Sequence, residues 1–129
     1  MVSVFITKEV IIPNNIKVDH NEIGSKLNFS GCVREMEKNE SIKGIDYEYY
    51  EDMAEKELLK LGEKALNKFK LSSFSCVHRV GFIPVRDVVV YVEIQSSHRI
   101  ESFEAMAWFM SKLKQDVPIW KNVLNDNGK

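Results

Sequence analysis

The run over residues 87–95, DVVVYVEIQ, constrains this chain more than any other stretch. Successive side chains of an extended backbone point to opposite faces, so Val88, Val90, Val92 and Ile94 share one uninterrupted apolar face. β-Branched residues at such spacing predict a strand that lies against a core. Two other segments change to the period of a helix. Over residues 51–70, Ala54, Leu58, Leu61, Ala65 and Phe69 recur at steps of three and four, the stripe of an amphipathic helix. Directly after the strand, Ser96-Ser97 is placed to cap a second helix whose inward face is predicted to carry Phe103, Met106, Ala107, Met110 and Leu113. Asp116 and Pro118 end that helix, because the residue before a proline resists helical backbone angles.

The remaining segments read as strands and their connections. Residues 2–12 are rich in β-branched side chains and stop at the turn cluster Pro13-Asn14-Asn15. Residues 26–34 (KLNFSGCVR) alternate, with Leu27, Phe29, Gly31 and Val33 on one side and Asn28, Ser30, Cys32 and Arg34 on the other. That is a half-buried strand with Arg34 at its polar end. Residues 35–41 (EMEKNES) read as a charged, mobile loop, residues 42–50 as a strand, and residues 71–81 as a strand that Gly81 ends. Strands precede, separate and follow two main helices, which predicts an α+β fold with a mainly antiparallel sheet. The 129 residues suffice for one domain, 1–129, with a real core, and no repeat, low-complexity tract or linker divides it.

Eighteen basic and nineteen acidic side chains leave a net charge of -1. No global field is available to hold a nucleic acid or an anionic membrane, so any anion site must be local. No apolar run approaches the roughly 20 residues that span a bilayer, and MVSVFITKEV lacks the basic and long apolar regions of a secretory signal. Cys32 and Cys76 lie in apolar strand-like runs and read as buried thiols of a reducing cytoplasm. They have no metal-binding spacing such as C-x-x-C, so no metal is expected; no cofactor is expected either.

Local chemistry has a few candidate positions. Ser97-His98-Arg99 stands where the strand meets the second helix, whose N-terminal N–H groups favour anions. Arg99 there is either an exposed charge beside a capping histidine or a fork for a phosphate. His78-Arg79 lies within a strand, and His78 reads as a semi-buried structural histidine. Arg34 is either an edge charge or an anion ligand. Residues 112–123, KLKQDVPIWKNV, place Lys114 in the last helical turn, where a cation suits the dipole. Lys121 follows the stiff, apolar Pro118-Ile119-Trp120. An amine held against a tryptophan and near another cation is expected to lose basicity, which would suit it to act as base or nucleophile.

FSGCVR (residues 29–34), YEYYEDMAEKEL (47–58), HRVG (78–81), SSHRIESFEA (96–105) and LKQDVPIWK (113–121), in this order, resemble the large, catalytic subunit of molybdopterin synthase, the MoaE family. The resemblance covers roughly residues 25–121 and implies an α/β-hammerhead fold. It also implies an activity: a sulfurtransferase that converts cyclic pyranopterin monophosphate to molybdopterin by installing a dithiolene, a step of molybdenum cofactor biosynthesis. The sulfur donor would be the C-terminal Gly-Gly thiocarboxylate of a small, ubiquitin-like, MoaD-like subunit, and the assembly a homodimer within a heterotetramer. By the same resemblance Lys114 and Lys121 are the catalytic pair, while Arg34, His98 and Arg99 bind the substrate. The chain departs from the family pattern at Glu35, at Ser111, at Asn122-Val123 and at Arg86, which stands where a turn glycine is usual. The sequence stops at Lys129, where many members continue into a longer basic tail. Two other classes stay open: a non-catalytic module that docks a ubiquitin-like carrier, and an unrelated small enzyme acting on a phosphorylated metabolite.

Overall fold

In a computed structural model, residues 1–13, 18 and 20–125 are described. The elements are β1 (Val2–Thr7), β2 (Ser25–Cys32), β3 (Met36–Glu37), β4 (Glu40–Tyr49), α1 (Glu51–Lys68), β5 (Ser73–Arg79), β6 (Gly81–Pro84), β7 (Val88–Ser96), α2 (Arg99–Asp116) and β8 (Ile119–Asn125). The turn expected at Pro13-Asn14-Asn15 lies, from Asn14 on, outside the described residues.

The strand that the valine run predicts is β7. It sits inside a four-stranded sheet of order β1-β5-β7-β2, antiparallel to β5 and to β2, while β1 joins β5 in parallel. Val90, Val92 and Ile94 face a core shared with both helices, into which α1 sends Ala54, Leu58, Leu61 and Ala65. Phe74 of β5 and Phe109 of α2 meet edge to face there, ring centres 4.6 Å apart. A second sheet is built on β4, which pairs antiparallel with β3, β6 and β8. Val33, Ile42, Ile45, Ile83 and Val89 form its own smaller core. The fold is therefore α+β with mainly antiparallel sheets, as the sequence predicts.

Four local expectations are corrected. The buried face of α2 is Ser102, Ala105, Met106, Phe109 and Leu113, while Phe103 and Ala107 point outward. The reason is polar: Ser102 Oγ is held inside by Ser96 Oγ at 2.6 Å and Ser25 Oγ at 3.1 Å, which rotates the helix by about one position. Its N-cap is His98, with no side-chain cap bond; Ser96 is the last residue of β7, and its hydroxyl donates to the His98 carbonyl at 2.6 Å. Residues 35–41 are not a loose loop. They form a tight hairpin, with Lys38 and Asn39 both at positive φ (50° and 65°) between β3 and β4. Finally, Gly81 does not end a strand but swivels the chain, at φ 82°, from β5 of one sheet into β6 of the other.

Arg86 occupies the β6–β7 turn at φ 81°. Its N–H donates to the Val33 carbonyl at 2.8 Å, so this turn braces the segment that carries Arg34. A side chain in the left-handed region costs roughly 1–2 kcal/mol that glycine does not. Arg86→Gly is expected to raise the unfolding free energy by about 1 kcal/mol, read from urea denaturation midpoints. An unchanged or lowered midpoint would show that the arginine side chain repays its backbone strain.

Candidate active site

The two sheets diverge where β7 begins, and a cavity of about 650 Å³ opens along the seam. Its apolar wall comes from Phe29 of β2, Ile45 of β4, Val89 and Val90 of β7, and Met110 and Leu113 of α2. Into this lining three separate segments deliver a cation: Arg34 after β2, Lys114 in the last turn of α2, and Lys121 in β8. β8 arrives by pairing with β4, in a register that sets Lys121 opposite Tyr47 and Trp120 opposite Glu48. Trp120 is fixed further by its indole N–H, which donates to Glu48 Oε2 at 2.9 Å, and by an edge-to-face contact with Tyr50, ring centres 5.3 Å apart.

The surroundings of Lys121 differ from the expectation. Its side chain is half exposed, and its ammonium lies 3.6 Å from Glu37 Oε1 rather than shut away against Trp120. Glu37, on β3, also accepts from Arg34 Nη2 with both carboxylate oxygens at 3.3 Å. The Arg34 hydrogen bond first, and the Lys121 charge next, hold the Glu37 carboxyl below its ordinary value of 4.5. Lys114 is exposed at the rim.

A second, more open groove runs along the outward side of α2, lined by Phe103, Met106, Ala107 and Met110 with Leu27 and Phe29 of β2. The two hollows meet at Phe29, Met110 and Lys114. The outward rotation of Phe103 and Ala107, which the sequence reading placed in the core, is what builds this groove.

His98 and Arg99 are not part of the cavity. Both are exposed at the opposite end of α2, His98 beside Glu101 at 3.5 Å. Fifteen residues of helix separate Arg99 from Lys114, a rise of about 22 Å. Arg79 is taken up by an ion pair with Asp87 at 2.8 Å. Cys76 is buried, and burial alone pushes its thiol up to about 12, but Cys32 is exposed and lines the cavity. The expectation of two buried thiols therefore fails for Cys32, which lies just past a register shift after Gly31.

Sequence reasoning missed two residues of the site. Glu37 lies in a charged run that reads as a loop; its signal is its place three residues after Arg34. His78 is buried, as a structural histidine should be, but it also lines the cavity, its ring centre 5.4 Å from that of Tyr47. Its Nδ1–H donates to the Arg79 carbonyl at 2.7 Å, which leaves Nε2 as the acceptor of the neutral ring. Among the described residues no group of His, Cys, Asp or Glu is placed to hold a metal ion, and no helix is long and apolar enough to cross a membrane.

Fold and site together define a class: an α+β protein in which three cations from distant segments line one apolar-walled cavity. The model of one family, described as MoaE protein, matches residues 6–116, and this chain belongs to that family. It is 33% identical over 126 residues to the molybdopterin synthase catalytic subunit of Bacillus subtilis, covering 96% of this chain and 80% of that one. The corresponding subunit of Pyrococcus abyssi is 32% identical over 112 residues, covering 87% and 76%. The crystal structure of molybdopterin synthase from Staphylococcus aureus superposes with a TM-score of 0.79 at 32% identity, covering 85% of this chain and 80% of that one.

Burial lowers the His78 pKa below its ordinary 6.5, an effect that the hydrogen bond to Arg79 only partly opposes. The unfolded chain therefore binds this proton more readily than the folded one. Stability from the neutral ring is complete above about pH 6.5 and falls as pH drops from there through the folded value. His78→Gln is expected to lose less stability than the parent between pH 7.5 and about pH 5, by urea denaturation at each pH. Parallel curves for the two proteins would remove His78 as the source.

Proposed function

We propose that this chain is the catalytic subunit of a molybdopterin synthase, a sulfurtransferase acting on cyclic pyranopterin monophosphate. The observation that carries the reading is the convergence of Arg34, Lys114 and Lys121 on one cavity, at the point where an apolar groove joins it. An anionic cyclic phosphate needs fixed positive charge, and an arginine fork with a lysine supplies it. The flat ring system of the precursor suits a wall of Phe29 and aliphatic side chains. The groove along α2 is an apolar path ending at Lys114, and an extended Gly-Gly tail has no side chains to obstruct its passage. In this reading the thiocarboxylate of a small ubiquitin-like subunit reaches Lys114 by that route. Lys114 serves as the catalytic amine that moves protons at the transfer centre, and Lys121 holds the substrate.

His98 and Arg99 enter this reading through a second copy. They stand about 22 Å along α2 from Lys114, so in a homodimer they complete the partner's cavity rather than their own. Arg99→Ala is expected to weaken precursor binding by about 1.5–3 kcal/mol in calorimetry, the value of a charge-assisted contact. Arg99→Ala and Lys114→Ala proteins, each weak alone, should regain about a quarter of the parent's activity once subunits exchange, the share of intact sites that random pairing gives. Absence of any recovery would return both residues to one chain or to no role.

The direct test incubates the protein with the precursor and a thiocarboxylated partner and assays the dithiolene product. Lys114→Ala should nearly abolish product while the unfolding midpoint stays close to the parent's. Lys114→Arg should fail almost as badly, since a guanidinium keeps its proton at working pH. Lys112→Ala, on another helix face, should be nearly silent. Equal activity of Lys114→Arg and the parent would mean that charge alone suffices, and the amine mechanism would be abandoned.

A further inference from the structure

We propose that Glu37 is the cavity's own counter-anion: its carboxylate occupies the cations that a phosphate must take, and so sets how tightly the site holds an anion. The inference deepens the reading above, since it assumes that Arg34 and Lys121 face the phosphate. Its basis is geometric. Both oxygens of Glu37 lie 3.3 Å from Arg34 Nη2, and Oε1 lies 3.6 Å from Lys121 Nζ, so one carboxylate bridges two cations delivered by different elements.

Of the three groups, Glu37 is the best anchored. It sits on the short β3–β4 ladder opposite Glu40, behind a turn of two left-handed residues, and the hairpin is closed by the Ile42 N–H donating to the Glu35 carbonyl at 3.0 Å. Its side chain is only 17% exposed, against 75% for Arg34 and 51% for Lys121. The long cationic side chains gather about a fixed carboxylate, not the reverse. Both neighbours also hold that carboxyl below its ordinary value, Arg34 through its hydrogen bond first and Lys121 through its charge.

A carboxylate placed this way acts as an internal competitor. A phosphate brings more negative charge and more acceptor oxygens, so it wins the exchange, whereas a neutral or weakly charged molecule does not displace the carboxylate. Glu37 thereby lowers affinity and sharpens selection for the phosphorylated ligand. Among the lining residues the formal charges are three positive and one negative, and removing the carboxylate frees both Arg34 and Lys121 for an incoming anion.

The test uses the whole protein and inorganic phosphate as probe, with affinity measured by calorimetry. Glu37→Gln is expected to bind phosphate about three- to tenfold more tightly, the range for a half-exposed ion pair that no longer has to be broken. Glu37→Ala should show the same gain, because the charge is what competes. Glu40→Gln, on the same hairpin, should leave phosphate affinity unchanged. Unchanged or weaker binding in both Glu37 variants would overturn the proposal, as would an equal gain in Glu40→Gln, which would reduce the effect to general surface charge. Sulfur transfer plays no part in this readout. A gain in phosphate affinity without any dithiolene product would overturn the proposed function and leave the role of Glu37 standing.

Discussion

Val89 and Val90 are adjacent in the chain yet enter different cores, and the site depends on that division. Val90 points to the side of the sheet that both helices cover, and Val89 to the smaller core under β4 and β6. A strand buried on both faces has no water for its backbone groups, so it needs a partner on each edge. β5 and β2 supply them. The two sheets are thereby tied through one strand, and they part where that strand starts. The cavity is the space left at the parting, which is why its wall contains residues of both cores. A truncation at either valine would loosen packing on one side and shift the seam itself.

What the sequence made legible was burial from one side. The faces that β7 and α1 turn to the larger core follow from spacing alone, whereas the burial of the other face of β7 through Val89 does not. The face of α2 did not. Its orientation is decided by hydroxyl contacts of Ser102 with Ser96 and with Ser25, the latter far away in sequence, and a local apolar pattern carries no trace of them. The hairpin at Lys38-Asn39 was equally hidden, since charged residues read as a solvated loop and no glycine marked the turn. Pattern alone also left Arg34 and Lys114 with ordinary explanations. The family's motifs singled them out, and the tertiary arrangement brought them to one cavity. His98 and Arg99 belong to the same motifs but sit at the far end of a rigid helix, a separation that residue numbers give and motif lists conceal.

The electrostatics of the site suit a protein with almost no net charge. Its cations are not sunk into the core, where desolvation would be costly. They stand at a half-open seam, Arg34 and Lys121 beside a carboxylate of the same chain. Such an arrangement tolerates an empty site. It also means that the low dielectric which strengthens charge interactions during a reaction must come from whatever fills the cavity and the groove. His78 is the exception, a buried ring kept neutral beneath Tyr47, and it gives the cavity floor a polar atom without adding charge.

The pairing of β8 with β4 has a consequence for the order of events in folding. Tyr47 finds Lys121, and Val2 finds Phe74, across more than half the chain. Contacts of this kind form late, because loop closure must be met before any pairing is gained. The helices, β5 and β7 can collapse on one another before the segment bearing Lys121 pairs with β4. The cavity then gains the wall that carries Lys121 when β8 docks. A folding chain would thus pass through a stage that is compact but unable to bind, with the edge of β4 uncovered, and that interval is when such a protein is most exposed to pairing with the wrong strand.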